Sequence, residues 1–217
     1  MKCQFCLAIA VLPMLGAVPG FTAELQSLLG TKGQLLIEES FDAAGLPKGW
    51  NVKNGNVRVA EGTLHASQDK DAGRLCLFNR EQPMQDAAIQ IDFKFEGARG
   101  INVSANPSPG ELKKRGHLYS VMITPTMWRI TEHNDKADRN SESKTLVSAA
   151  ERFETGRWYT LLLETKGDDI VAQVEGKQPL KTSSPDFHVK KPGIEFRVIG
   201  PTGAEMLFDN LKVWELK

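Results

Sequence analysis

The sequence has few cysteines, few aromatic residues and no excess of charge of either sign. Of its three cysteines, Cys3 and Cys6 lie at the very N-terminus, so Cys76 stands alone in the rest of the chain and has no partner for a disulfide there. Aromatic residues make up 7% of the chain, and 27 Lys and Arg residues balance 27 Asp and Glu residues. Balanced charge does not favour a polyanion-binding surface, so we expect no nucleic-acid partner. Without a disulfide the domain depends on its hydrophobic core, in which we expect Cys76 to be a buried small hydrophobe.

Residues 1–23 have the pattern of a secretory signal peptide. Lys2 precedes the uncharged apolar run Phe5–Val18, and small residues follow that allow cleavage after Gly20 or after Ala23. The run is shorter than the about 20 apolar residues that span a bilayer. A buried N-terminal helix is the alternative interpretation. We therefore predict a secreted protein, periplasmic or extracellular, that has no membrane contact once the leader is cleaved.

The rest of the chain, residues 24–217, lacks long helical periodicity, apart from one turn predicted at Glu24–Leu29. Strand-like alternation recurs instead, and turn pairs such as Asn54-Gly55 separate the strands. The polar stretch Asn134–Glu151 predicts a surface loop with at most one short strand, at Thr145–Val147. The pattern predicts an all-β domain, an antiparallel two-sheet sandwich. The predicted strands are Leu35–Ser40, Val57–Ala60, Thr63–Ser67, Arg74–Phe78, Ala87–Phe95, Ile101–Ala105, His117–Thr124, Trp128–His133, Trp158–Thr165, Ile170–Glu175, Gly193–Ile199 and Glu205–Leu216.

Several short motifs follow one another in a characteristic order. They are Gly156-Arg-Trp-Tyr159, a hairpin ending at Val174-Glu-Gly176, Pro192-Gly-Ile-Glu-Phe196 and Phe208-Asp-Asn-Leu-Lys-Val213. This order resembles the concanavalin A-like (laminin G-like) jelly rolls. With the earlier segment Trp50–Leu64, the chain most resembles the 3-keto-disaccharide hydrolase domain family. The resemblance covers about Phe41 to Leu216 and implies a jelly-roll sandwich with a sugar cleft.

The sequence departs from this family where polar cleft residues are expected. The family segment G-x-E-x-Q-x-x-D corresponds here to Gly116–Thr124, in which Ser120 and Met122 replace the acid and the amide. The E-x-D-x-x-E motif of the related laminarinase-type jelly rolls is also absent. We therefore predict binding without turnover and keep a glycosidase-type hydrolase as the alternative.

Alternation along the strands also predicts the ligand-binding residues. Amides, guanidinium groups and carboxylates beside an aromatic ring are the groups that bind a sugar. The alternative is that these side chains are only the solvated face of an antiparallel sheet. Glycoside hydrolysis needs two carboxyl groups about 5–9.5 Å apart, and the catalytic candidates are Asp92, Glu132 and Glu195. The predicted ligand contacts are Asp92, Asn102, Ser104, His117, Trp128, Arg129, His133, Glu195 and Arg197.

Two carboxylates near the ends of the domain suggest a metal site. Glu39 in the first strand and Asp209 in the last would meet where these strands pair, and oxygen ligands suit a structural Ca²⁺. The alternative is a capping or turn role for Asp209. Four scattered histidines and a lone cysteine do not have the spacing of zinc ligands.

The four tryptophans divide into two pairs. Trp158 and Trp214 lie within strand patterns, where large aromatic side chains fill a sandwich core. Trp50 and Trp128 lie near strand ends. We therefore predict that Trp158 and Trp214 belong to the core.

These observations predict a secreted jelly-roll domain that recognises a glycan or small sugar on the concave face of one sheet. A glycoside hydrolase acting in the same cleft is the first alternative. A structural or adhesion protein without a sugar ligand is the second. The sequence does not indicate which sugar binds or what the oligomeric state is.

Overall fold

The computed structural model describes residues 24–69 and 75–217. These residues contain no helix, and so none that is long or apolar enough to cross a membrane. The predicted signal peptide lies outside the described residues, and the helical turn predicted at Glu24–Leu29 is wrong. The described residues form fifteen strands: β1 (Lys32–Glu39), β2 (Trp50–Asn54), β3 (Asn56–Ala60), β4 (Thr63–Ser67), β5 (Cys76–Met84), β6 (Ala87–Glu96), β7 (Gly100–Ala105), β8 (Tyr119–Thr124), β9 (Met127–Glu132), β10 (Lys144–Ala150), β11 (Trp158–Lys166), β12 (Asp169–Val174), β13 (Leu180–Ser183), β14 (Lys191–Ile199) and β15 (Glu205–Leu216).

The strands form two antiparallel sheets. The eight-stranded sheet has the order β13-β12-β11-β6-β15-β4-β3, and β1 also pairs with the long strand β15. The seven-stranded sheet has the order β10-β9-β8-β7-β14-β5-β2. The predicted all-β two-sheet sandwich is confirmed.

Each predicted strand overlaps a strand of the structure, although Arg74 lies outside the described residues. The strand foreseen within the polar loop is β10, which is longer than predicted. Two strands, β2 and β13, have no counterpart in the prediction. Both lie at a sheet edge and bury one residue each, so neither shows the alternation that reveals a half-buried strand.

The core lies between the sheets and is built by alternation. On β6, the predicted apolar face of Ile89, Ile91, Phe93 and Phe95 is buried. Cys76 is also buried there, as predicted, and burial raises the pKa of its thiol to about 12. Apolar burial of this extent stabilises the fold without a disulfide, since it contributes roughly 25 cal/mol for each Å² removed from water.

The tryptophans are distributed differently from the prediction. Trp128 and Trp50 are in the core, and Trp50 packs against Phe196 with ring centroids 5.7 Å apart. Trp214 and Trp158 lie instead on the outward face of the eight-stranded sheet. Side chains alternate between the two sides of a strand, so the position of each tryptophan along its strand decides whether it points into the core or outward.

The outward face of the eight-stranded sheet is partly covered by residues 24–31, here called the N-terminal segment. Leu25 and Leu29 pack on a small apolar cluster that includes Leu162 and Trp214. Beneath the segment, the fully buried carboxylate of Glu164 accepts hydrogen bonds from Ser27 Oγ, from the backbone N–H groups of residues 28 and 29, and from the side-chain amide of residue 173. The N-terminal segment therefore covers the part of this face around Glu164 and Trp214.

Candidate functional site

The outward face of the seven-stranded sheet is polar and open. Strands β5, β14, β7, β8 and β9 lie side by side in this sheet, and the residues between their core positions point outward. We call this surface the polar face. Its main residues are Asn51, Asn79, Asn102, Ser104, Asn106, Ser120, Arg129, Thr131, Glu195 and Arg197.

A charged cluster occupies the middle of the polar face. Arg197 Nε donates a hydrogen bond to Glu195 Oε1 at 3.2 Å, and its terminal nitrogen contacts the ring of His117. His117 Nε2 also lies 3.3 Å from Glu195 Oε1. A second ring, that of His133, is 5.4 Å from the His117 ring centroid and bonds Ser120 Oγ at 2.9 Å. A carboxylate, a guanidinium group and two imidazoles therefore meet in one place.

Both histidines are neutral at physiological pH. Burial, reinforced first by Arg197, lowers the pKa of His117 to about 3. Burial and the same guanidinium lower the pKa of His133 to about 4. Each ring therefore offers one donor and one acceptor nitrogen.

Six buried side-chain atoms on or beside the polar face have no hydrogen-bond partner among the described residues. The carboxamide oxygens of three asparagines accept no bond, and the Nδ1 atom of a ring that is 6% exposed is unpaired. Buried polar atoms are nearly always paired in folded proteins, because an unpaired one costs about 1–3 kcal/mol. Six of the eight atoms of this kind among the described residues lie on or beside this one face. The atoms are Asn79 Oδ1, Asn102 Oδ1, Asn106 Oδ1, His117 Nδ1, Arg129 Nε and Thr131 Oγ1.

A cleft of about 630 Å³ opens at the β2–β5–β14 side of the polar face. Glu81 on β5 and Glu195 on β14 both line it. Gly193 on β14 is directly opposite Glu81 and lines the cleft as well. A side chain at Gly193 would overlap the carbonyl oxygen of Arg80, so only glycine fits at this position of the cleft. The Glu81 carboxylate is held by Asn51, whose Nδ2 donates at 2.8 Å.

Most predicted ligand contacts come together on or beside the polar face. They lie on neighbouring strands or at their ends, as alternation predicted, and the structure leaves their role in binding a prediction. These residues are Asn102, Ser104, His117, Arg129, His133, Glu195 and Arg197.

Three predicted site residues lie elsewhere. The prediction for Trp128 is wrong, because its indole is 0% exposed in the core and offers no stacking surface. Glu132 is on the opposite side of β9 from Arg129 and accepts a hydrogen bond from Ser184 Oγ at 2.9 Å. Glu132 lines a separate depression with Lys114 and His133. Asp92 belongs to the other sheet and therefore lies away from the polar face.

The two carboxylates predicted to share a calcium ion do not meet. Glu39 points to the core side, where it accepts hydrogen bonds from Trp50 Nε1 at 2.5 Å and from Arg80 Nε at 2.8 Å. Asp209 lies on the outward face, beside Asp92. No group of three or more His, Cys, Asp or Glu side chains is arranged to hold a metal within residues 24–69 and 75–217. Glu39 and Asp209 therefore do not form the predicted calcium site together.

The cleft residues Asn51, Lys53, Asn79 and Glu81 are absent from the sequence prediction. Asn51 and Lys53 lie on β2, which is short. Asn79 and Glu81 lie on β5, beyond the end of the predicted strand Arg74–Phe78. Pro83 within β5 obscures that half of the strand in the sequence, since proline is a weak strand signal. Alternation continued beyond Phe78 would have placed Asn79 and Glu81 on the outward side.

No family model matches the sequence, and no curated protein matches it. The resemblance to the 3-keto-disaccharide hydrolase domain family therefore stays a prediction.

Solved structures with the same fold are numerous. A Bacillus subtilis protein of unknown function with a galectin-like fold superimposes with a TM-score of 0.65 at 14% identity, over 86% of this chain and 98% of that one. The carbohydrate-binding module CBM66 of Bacillus subtilis has a TM-score of 0.60 at 13% identity, over 77% of this chain and 96% of that one. The catalytic domain of an endo-1,3-beta-glucanase (laminarinase) from Thermotoga petrophila has a TM-score of 0.61 at 15% identity, over 86% and 100%. The fold is therefore a jelly-roll-like sandwich of the galectin and concanavalin A type.

Proposed function

We propose that the polar face binds a saccharide. The observation that carries this proposal is the group of six unpaired buried atoms on or beside that face. The asparagine oxygens need donors, whereas Arg129 Nε needs an acceptor. A sugar hydroxyl both donates and accepts, so a ligand rich in hydroxyl groups satisfies the whole set with one kind of group.

The recognition is by hydrogen bonds rather than by ring stacking. Among the described residues, the Phe, Tyr and Trp side chains lie in the core or against the other sheet, and none is on the polar face. The role predicted for Trp128 therefore falls to amide and charged side chains. Two of the structurally similar proteins, a carbohydrate-binding module and a laminarinase catalytic domain, support a glycan ligand for this fold. The predicted leader fits a protein exported to meet such a ligand.

A substitution on the polar face with a matched control tests the proposal. Asn102→Ala removes an unpaired oxygen from the polar face, and Asn56→Ala removes an exposed amide from β3 of the other sheet. Calorimetric titration with neutral and acidic oligosaccharides of defined linkage should find a ligand whose affinity falls about tenfold in Asn102→Ala, the loss expected for one hydrogen bond of about 1.4 kcal/mol. Asn56→Ala should bind as the unaltered chain does. Failure of every oligosaccharide to bind would contradict the proposal.

Hydrolysis in the same cleft is the second candidate function, and the pair Glu81 and Glu195 favours it. Glu195 is directly opposite Asn79, so Glu81 is the diagonal neighbour on the adjacent strand. Diagonal positions of this kind are about 7–8 Å apart. This spacing is that of the two strand positions, and from it flexible glutamate side chains can reach the about 6.5–9.5 Å between the carboxyl groups of inverting glycosidases.

Product analysis distinguishes hydrolysis from binding alone. A bound oligosaccharide or 3-keto-disaccharide should be cleaved by the unaltered chain, and Glu195→Gln and Glu81→Gln should each abolish cleavage. Glu175→Gln, in the exposed turn after β12, is the control and should not change the rate. Recovery of the intact ligand after prolonged incubation with the unaltered chain would exclude this second function and leave the binding proposal in place.

A further inference from the structure

Basic side chains surround the polar face, although the chain as a whole has no net charge. Lys53 lines the cleft of about 630 Å³. A second cleft of about 370 Å³ lies beside the His117–Arg197 cluster, and Lys114, Arg115 and Lys136 line it. We call Lys53, Lys114, Arg115, Arg129 and Lys136 the basic rim. Across both clefts, the only lining carboxylates among the described residues are Glu81 and Glu195.

Most of the basic rim is not neutralised. Lys114 lies 3.4 Å from Asp186 and 3.9 Å from Glu132. Lys53, Arg129 and Lys136 form no ion pair with any residue that the structure describes. The guanidinium of Arg197 is already paired with Glu195, which leaves the free charge on the rim.

Asp135 precedes Lys136 of the rim in the sequence, and its carboxylate binds backbone N–H groups. Asp135 Oδ1 accepts hydrogen bonds from the backbone N–H groups of Arg115 at 2.9 Å and Ala137 at 2.8 Å. These bonds, more than the neighbouring lysine charge, lower the pKa of its carboxyl. Asp135 lines an adjacent depression rather than the cleft beside His117. Asp135 therefore fixes a turn, and its charge acts on Lys114 and Arg115 rather than on Lys53, Arg129 or Lys136.

The pKa values of the two buried histidines reflect the charges around them. After burial itself, Arg197, Lys136 and Lys53 lower the pKa of His117 to about 3. Arg197, Lys114, Lys136 and Arg129 likewise lower the pKa of His133 to about 4. Four of the five rim residues thus disfavour protonation of the rings at the centre of the polar face, although the Glu195 carboxylate lies 3.3 Å from His117 Nε2.

The polar face also contains unpaired groups that point to a ligand rather than to bulk solvent. His117 is 6% exposed, lines the second cleft, and has no partner for Nδ1 within the described ranges. Arg129 Nε is buried, and it too lacks an acceptor there. A guanidinium with a free N–H is suited to a carboxylate or a sulfate group, and Arg129 and Lys136 both act on the ring of His133.

We propose that the saccharide bound at the polar face is anionic, with carboxylate or sulfate groups received by Lys53, Arg129 and Lys136. This inference rests on the proposed function and specifies its substrate class. A nucleic acid is a poorer fit, because single-stranded nucleic acids bind through aromatic rings that stack on the bases, and the polar face has no Phe, Tyr or Trp among the described residues.

The test compares matched ligands and matched variants of the full chain. Uronate oligosaccharides, sulfated oligosaccharides and neutral oligosaccharides of the same length are titrated calorimetrically, with a single-stranded oligonucleotide as a polyanion control. We expect at least about tenfold tighter binding of a uronate or a sulfated ligand than of its neutral counterpart, because charge-assisted hydrogen bonds are about twice as strong as neutral ones. Raising the salt concentration should reduce that difference.

The variants assign the effect to the rim. Lys136→Gln should weaken the anionic ligand by about tenfold and change the neutral ligand little. Arg129→Gln also removes an unpaired N–H of the polar face, so it should weaken both ligands, and the anionic one more. Lys181→Gln, on the exposed edge strand β13 of the other sheet, removes the same charge from a distant place and should change neither.

The outcomes separate this inference from the proposal beneath it. Equal or tighter binding of the neutral ligand would overturn the anionic class while supporting saccharide binding. Binding of the oligonucleotide as tightly as the anionic saccharide, or equal losses in Lys181→Gln, would show a nonspecific electrostatic effect and overturn the inference. Binding of no saccharide would overturn both.

Discussion

The outward faces of the two sheets have similar sequence patterns but satisfy their polar groups in opposite ways. On the eight-stranded sheet, the buried polar groups are paired within the chain: Glu164 by the N-terminal segment, and Asp92 by Thr160 and Asn210. On the seven-stranded sheet, buried amide, guanidinium and hydroxyl groups of the polar face remain unpaired in the described part of the chain. The first arrangement stabilises the fold, whereas the second costs stability and offers binding groups.

The position of a polar residue in an alternating strand therefore does not show whether its side chain is paired within the fold or is free to bind a ligand. Asp92 and Glu195 are both buried acids on outward faces, and both are held by neighbours of their own sheet, but only Glu195 lines open clefts. The difference arises from what covers each sheet. Measurements of unfolding and of ligand binding test this contrast between the two faces.

The largest effect should come from Glu164 on the covered face. Glu164→Ala leaves the N–H groups of Leu28 and Leu29 without their acceptor and releases the N-terminal segment, so the free energy of unfolding should fall by about 3 kcal/mol. Urea denaturation measures this loss. The exposed residue Glu175 provides the control, since Glu175→Ala should stay within about 0.5 kcal/mol of the unaltered chain. Equal losses in both variants would show that the segment contributes nothing specific.

The next effect is the pH dependence caused by the polar face. His117 and His133 have folded-state pKa values lowered to about 3 and about 4, so below about pH 6.5 the unfolded chain binds protons that the folded chain does not. Stability should therefore fall on acidification below about pH 6.5, by about 2 kcal/mol between pH 6.5 and pH 5.5, and it should continue to fall towards pH 4. Urea denaturation at several pH values measures this slope. The double variant His117→Gln, His133→Gln should flatten it, and an unchanged slope would show that other groups titrate.

Two threonines allow the same substitution to be made on both faces. Thr160 is fully buried on the covered face and its Oγ1 donates to Asp92 Oδ1 at 2.6 Å, so Thr160→Val should cost about 2 kcal/mol. Thr131 is 9% exposed on the polar face and its Oγ1 is unpaired, so Thr131→Val should stabilise the fold by about 1 kcal/mol and weaken the saccharide ligand. Thermal and urea unfolding measure both variants. Destabilisation of similar size in both would remove the contrast between the faces.

The smallest effect is a pH dependence of opposite sign on the covered face. Burial, and then the charge of Asp92, raise the pKa of Asp209 to about 6, so the folded chain holds a proton between about pH 4 and 6 that the unfolded chain has lost. The contribution of Asp209 to stability therefore falls as pH rises through this window. Asp209→Asn should stabilise the chain by about 1 kcal/mol at pH 7 and change nothing below pH 4, as measured by urea denaturation. A gain that persisted at pH 3.5 would contradict this assignment.

Much of the fold follows from local patterns. The alternation of β6 and the turn at Asn54-Gly55, where Gly55 has a φ of 91°, were readable because each depends on neighbours along the chain. The polar sides of β7, β9 and β14 were readable for the same reason. Edge strand β2 and the second half of β5 were not, because their outward residues become meaningful only beside β14.

The positions of most strands, and the residues of each that share a side, follow from the sequence alone, because side chains alternate with a period of two. Only the tertiary structure decided that Asp92 and Glu195 belong to different sheets, that Glu81 lies diagonally across from Glu195, and that residues 24–31 cover one sheet and not the other. Those outcomes depend on pairing between residues far apart in the chain, and strand periodicity carries no information about such pairing.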